Sequence, residues 1–187
     1  MRLIERGSGR PRVAIVGGIH GDEPAGERIV ERLRADVSVA SGTLRLVVAN
    51  EPALDIGKRY TETDLNRTFP GDVDSDTYET ALAPRLTRVL DGADAVLALH
   101  TSQSAPPPFA IYSTLTDIVR RSIAGMPVEY VVDAGNLRDT TLDSTLSNTI
   151  SLETGKQGSD AAVDFGLAAC RAFLRVHGIL QDEAPTY

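Results

Sequence analysis

The chain has 187 residues, 42% of them hydrophobic and 24% charged, with a formal net charge of −7. That length suits one domain whose core holds without staples, and the acidic balance argues against a nucleic-acid ligand, which needs a basic face. No apolar run reaches the ~20 residues of a membrane span, and the short apolar stretch near the amino terminus ends in HGDE rather than a cleavage site, so a cytoplasmic protein with no membrane partner is expected.

The one cysteine, Cys170, rules out an intrachain disulfide. It sits in DFGLAACRAFLRVHG, an amphipathic helical pattern in which packing is its expected role. Lys58 and Lys156 are the only lysines. An acidic, lysine-poor surface fits either a high-salt cytoplasm or a genome that favours arginine codons.

Strand and helix patterns alternate along the chain. RVAIVGG (12–18) is a short apolar run closed by glycines, a buried strand. PAGERIVERLRAD (24–36) reads as a helix with proline in its first turn, and GTLRLVVAN (42–50) as a second strand. Residues 51–77 lack periodicity and form a long loop, a feature that is usually functional or disordered. TYETALAPRLTRVLDG (77–92) is a helix in which Pro84 predicts a kink or a later start. ADAVLALH (93–100) is a central strand and SAPPPFAIYS (104–113) becomes one after its prolines. A helix over 116–125, strands over 127–134 and 147–153, and a last helix over 159–178 follow. Residues 179–187 read as a tail, frayed at QDEAPTY. This order implies an α/β fold, a mixed and largely parallel sheet flanked by helices, in a single domain over 1–187.

His20 and Glu23 lie three apart where a strand gives way to a helix, so they can share a face and meet one cation. His100 closes the apolar strand AVLALH, and ligands in open α/β sheets sit outside the carboxyl ends of the strands. Two histidines and one glutamate form a catalytic zinc set with a position left for water, although manganese and cobalt also suit these donors. HxxE alone is a weak signal, and a lone histidine at a strand end is more often structural. His177, beside Gly178, reads as a helix carboxyl-terminal residue with no catalytic role.

GGIHGDE, KRYTETDLNRTFPG, LALHTS and SLETG, in that order, resemble the succinylglutamate desuccinylase/aspartoacylase family, a branch of the zinc carboxypeptidase-like superfamily. The resemblance spans roughly residues 13–160 and implies the zinc carboxypeptidase-like fold. It implies one zinc ion per chain on His20, Glu23 and His100. It implies that Asn66 and Arg67 grip a substrate carboxylate, whose two oxygens a guanidinium fork matches. Arg59 would polarise the scissile carbonyl, and Glu153 would take the proton from the attacking water and pass it to the leaving amine. A carboxylate that closes an apolar strand is costly unless paired or working, which supports Glu153 independently. Asp64 reads as a turn residue bonded to its own backbone.

The expected activity is a zinc-dependent amidohydrolase, cleaving an N-acyl amino acid or a similar small carboxylate-bearing amide. Longer members carry a further carboxyl-terminal β-rich region that helps close the pocket. Its lack here implies a more open pocket or one completed by a partner subunit in a homo-oligomer. Aspartoacylases also place a substrate-binding arginine about ten residues before the catalytic glutamate. Here that position is Asp143, with Arg138 nearby but out of register, so acyl-aspartate or succinyl-glutamate specificity does not follow. The alternatives are a carboxypeptidase acting on short peptides and a catalytically inactive zinc-binding module. A nucleotide-binding domain is disfavoured, since neither GxGxxG nor a Walker-type GK[ST] is present.

Overall fold

The apolar run after Pro11 forms a strand buried on both faces, and the rest of the architecture is arranged around it. In the computed structural model, which describes residues 1–181, that strand is β2 (Arg12–Gly17), preceded by β1 (Arg2–Ser8). Helix α1 (Ala25–Asp36), strand β3 (Gly42–Val48), the short helix α2 (Glu51–Asp55) and helix α3 (Tyr78–Leu90) follow. Then come β4 (Ala95–Ser102), β5 (Phe109–Tyr112), α4 (Asp117–Gly125), β6 (Tyr130–Asp133), α5 (Leu142–Thr145), β7 (Thr149–Lys156) and α6 (Asp160–Val176).

The strands make one sheet in the order β1-β3-β2-β4-β7-β5-β6. The pairs β2/β3, β2/β4, β4/β7 and β5/β6 are parallel; β1/β3 and β5/β7 are antiparallel. The expected mixed, largely parallel sheet is therefore present. Successive side chains of a strand point to opposite faces, and β2 serves two cores in this way. Val13 and Ile15 pack with Ile29 and Leu33 of α1 and Phe173 of α6. Ala14 and Val16 pack with Leu82, Leu86 and Leu90 of α3. The turn from β2 into α1 brings the strand against the helix: a Cβ on Gly17 would lie 2.3 Å from the Gly26 carbonyl oxygen, so no larger residue fits. α1 itself begins at Ala25, with Pro24 just before it as the N-cap residue.

Several elements differ from the sequence expectation. The amino-terminal segment is an edge strand, with alternating burial and a cross-strand ion pair between Glu5 and its register partner Arg45. Its charges, which obscure it in the sequence, suit an edge. The 51–77 segment is not featureless. It holds α2 and one turn of 3-10 helix at Leu65–Arg67, and it buries Leu65 and Phe69 in the core. α3 starts at Tyr78 and runs through Pro84 to Leu90, so the proline does not delay it. The Thr80 carbonyl that Pro84 cannot bond accepts the Asp72 N–H instead, at 3.0 Å, so the proline anchors the loop to the helix. Ile179, expected to begin the tail, is fully buried, and its carbonyl accepts the Ala40 N–H. The rest of the expected tail, 182–187, lies outside the described residues. No helix of the described residues is long and apolar enough to cross a membrane.

Candidate active site

The three candidate ligands arrive from adjacent parallel strands. β2 leads into the turn that carries His20 and Glu23, and its neighbour β4 carries His100. The ligand atoms of His20, Glu23 and His100 lie within 4.8 Å of one another, and all three residues are buried. His20 Nδ1 is 2.8 Å from Glu23 Oε1, and His100 Nδ1 is 3.4 Å from Glu23 Oε2. The two imidazole centroids are 5.1 Å apart. The backbone N–H of Thr101 donates to Glu23 Oε2 at 2.9 Å, which fixes the carboxylate between the rings.

Asp64 is more than the turn residue read from the sequence. Its Oδ1 accepts the Asn66 N–H at 2.9 Å, as that reading expects. The same carboxylate also lies 3.1 Å from His20 Nε2 and accepts Arg59 Nε–H at 3.0 Å. A carboxylate on the far nitrogen of a ligating histidine sets its tautomer and raises its basicity. Burial alone would lower His20, but the hydrogen bonds to Asp64 and Glu23 outweigh it and raise the imidazole above its ordinary value. Burial alone would raise Glu23 and Asp64. The histidine contacts outweigh it in both, and both carboxyls lie well below the usual range.

Glu153 is the register partner of His100 on β7, so the sheet itself sets the candidate base beside a candidate ligand. Neither residue closes its strand: β4 continues to Ser102 and β7 to Lys156. The register slips between them, where His100 pairs with Glu153 but Ser102 pairs with Lys156. Gly155 supplies the positive φ of 131° at that bulge, and the Thr154 hydroxyl donates to the His100 carbonyl. Burial raises the Glu153 carboxyl, and the Glu23 charge adds to this against the pull of His100. Glu153 Oε2 and His100 Nε2 are both buried without a hydrogen-bond partner, which marks a place where a ligand or water belongs. Two imidazoles, a carboxylate and these unpaired atoms fit a divalent ion of the zinc type.

His20, Glu23, Arg59, Asn66, Arg67, His100 and Glu153 all line one cavity of about 440 Å³. Arg59 reaches it because the chain turns tightly at Gly21: the Gly21 N–H donates to the Arg59 carbonyl, and a Cβ on Gly21 would fall 2.0 Å from the Ala53 backbone. Arg59 Nη1 donates to Glu23 Oε1 at 3.4 Å. Asn66 spends its side-chain oxygen on the Leu142 N–H of α5, which leaves its Nδ2 for a ligand. Arg138, out of register in the sequence, also lines the cavity.

One residue with a part in the site escapes sequence reasoning. Glu79, in the first turn of α3, is fully buried. Its carboxylate accepts the N–H groups of Thr61, Glu62 and Thr63, the Thr61 hydroxyl and the Asn50 amide. These bonds outweigh the burial that would raise it, and its carboxyl stays below the ordinary value. Glu79 thereby clamps the segment between Arg59 and Asp64. In the sequence it is indistinguishable from an acidic residue placed for the helix dipole.

The family description "Succinylglutamate desuccinylase/Aspartoacylase catalytic domain" matches residues 9–175. The N-alpha-acetyl-L-2,4-diaminobutyric acid deacetylase of Halomonas elongata is 30% identical over 97% of this chain and 58% of its own length. The succinylglutamate desuccinylase of Burkholderia lata is 29% identical over 88% of this chain and 50% of its own. Among solved structures, the product-bound ectoine utilization protein EutE (DoeB) of Ruegeria pomeroyi superposes with a TM-score of 0.84 at 26% identity, covering 97% of this chain and 61% of that one. The chain thus spans about half to three fifths of the length of the relatives it matches. With the fold, the order of the motifs and these likenesses in agreement, the chain belongs to the succinylglutamate desuccinylase/aspartoacylase family.

Proposed function

We propose that the chain acts as a single zinc-dependent catalytic domain that hydrolyses the amide of an N-acyl amino acid or a similar small carboxylate-bearing amide. The observation that carries this reading is the register pairing of Glu153 with His100, inside one cavity with His20 and Glu23. A deacetylase and a desuccinylase among the relatives support the reaction type.

His20, Glu23 and His100 would hold the ion, with Asp64 fixing the His20 tautomer. Bound there, zinc supplies Lewis acidity, which brings the pKa of a water toward ~7. Glu153 takes a proton from the attacking water at its unpaired oxygen and returns it to the leaving amine. Its raised pKa brings the carboxyl closer to working pH and makes it a stronger base for taking the water proton. Arg59 directs its guanidinium toward the oxyanion that develops on the carbonyl, a kind of contact worth ~100- to 1000-fold in rate. Arg67 and the Asn66 amide hold the substrate carboxylate. The products are a carboxylic acid and an amine.

The test is metal analysis of the purified protein, then a screen of N-acetyl and N-succinyl amino acids beside dipeptides. One zinc per chain and acyl-amino-acid hydrolysis are expected. Glu153→Gln is expected to keep the zinc and lose ~100- to 10,000-fold in kcat. Full activity in that variant would remove Glu153 from the reaction, and hydrolysis of dipeptides alone would favour a carboxypeptidase.

A further inference from the structure

The cavity holds a buried carboxylate that the proposed reaction does not use. Asp143, in the first turn of α5, is 5% exposed and lines the cavity wall with Ser113 and Ser151. Its Oδ2 accepts the Ser113 hydroxyl at 2.6 Å and its Oδ1 the Ser151 hydroxyl at 3.4 Å. Among the described residues no arginine, lysine or histidine forms an ion pair with it. Arg67, on the same cavity, feels its charge without pairing to it. A buried carboxylate held only by neutral hydroxyls is costly unless a cation meets it.

Hydrogen-bond counting defines what could meet it. Each serine has one hydroxyl proton, and both protons go to Asp143. What remains facing the cavity is the carboxylate and the lone pairs of two oxygens, acceptors throughout. An ammonium, with three donors and no acceptor, complements such a trio; a carboxylate does not. The trio is also held in place. Thr141 and Ser144 form a capping box at the start of α5, and the Leu142 N–H is bonded to Asn66, so Asp143 cannot swing away without breaking these contacts. Ser151 and Glu153 are two apart on β7 and face the same side, about 6.6 Å along the strand. That spacing is the reach of a short aliphatic side chain.

We infer that Asp143, Ser113 and Ser151 form a subsite for a cationic group, an ammonium that the substrate carries several bonds from the cleaved amide. The inference rests on the amidohydrolase reading above and narrows it. With Arg67 on the carboxylate and Asp143 on the ammonium, the cavity takes a zwitterionic N-acyl diamino acid in preference to an acyl-aspartate.

The experiment compares N-acetyl-L-ornithine with N-acetyl-L-norleucine, which has the same length without the charge, using the zinc-loaded protein. At least a tenfold advantage in kcat/KM for the ornithine compound is expected, falling to near one in Asp143→Asn. Calorimetry with L-ornithine and L-norleucine reads the subsite without turnover: wild type should prefer ornithine at least tenfold, and the variant should not. Should the variant fail to fold, the wild-type calorimetry decides by itself. Equal binding of the two amino acids overturns the subsite, as does equal turnover unaffected by Asp143→Asn, and in the latter case the hydrolase reading survives. Preferential ornithine binding that depends on Asp143, with neither compound hydrolysed, upholds the subsite and overturns the hydrolase reading.

Discussion

His20 and His177 are buried to nearly the same degree, at 3% and 6% exposure, yet their surroundings push them in opposite directions. At His177 burial lowers the imidazole to about 4, and Arg121 pushes the same way. Its Nε2 meets the Ser122 hydroxyl at 2.8 Å, and the Phe173 ring stands edge-on at 4.7 Å. Ser122 gives its proton to the Ile118 carbonyl, so His177 must be the donor in that contact, a neutral core residue with a settled tautomer. At His20 burial pushes down as well, but Asp64 and Glu23 overcome it. Burial therefore does not separate a structural histidine from a candidate ligand. The carboxylates gathered around the ring do.

The most severe way to break this contrast is to remove the rings. His20→Ala and His100→Ala are each expected to lose stoichiometric zinc and all hydrolysis, whereas His177→Gln keeps both. Elemental analysis of the purified variants decides it, and one zinc per chain in His100→Ala would erase the distinction.

Glu79→Gln should cost on the order of a hundredfold in kcat/KM, because an amide N–H₂ replaces one oxygen of a carboxylate whose two oxygens share five donors, and the Arg59–Asp64 segment shifts. Zinc content should be unchanged. A loss confined to thermal stability, with kcat and KM intact, would reduce Glu79 to a structural role.

Asp64→Asn sharpens the comparison at His20 itself. Loss of the carboxylate on Nε2 should weaken zinc binding by ~10- to 100-fold, as read by competition with a chelator. Unchanged affinity would mean that the His20 tautomer is set elsewhere.

The smallest effect lies at His177 and concerns stability alone. Its folded pKa, about 4, lies below the ordinary 6.5, so the unfolded chain binds more protons between those values. Its contribution is fully present above pH 6.5 and is lost as pH falls toward 4, amounting to about 3 kcal/mol across the window. Denaturant midpoints at pH 4 to 8 should show this slope, and His177→Gln should flatten it. An identical slope in the variant would assign the effect to other groups.

Much of the fold was legible because periodicity and burial are tied together. β2, α1, β4 and α6 lie within a few residues of their expected positions, since continuous apolar runs and helical stripes report directly on the faces they bury. β1 was hidden by its charges, and α2 and α5, at five and four residues, are too short to show a period. The same limit governed the site. The seven candidate residues stand in recognisable motifs, and all line the cavity.

Residue type and local spacing were thus enough to name the candidate ligands, the candidate base and a strand–helix alternation, because each depends on neighbours in the chain. Three further relations depend on segments brought together from far apart in the chain. Asp64 meets His20 across 44 residues, Glu79 clamps a loop 16 to 18 residues upstream, and Asp143 lies between the hydroxyls of Ser113 and Ser151. Only the packed tertiary structure settled these, since a hydrogen bond needs its partners within about 3 Å and no local pattern encodes that distance.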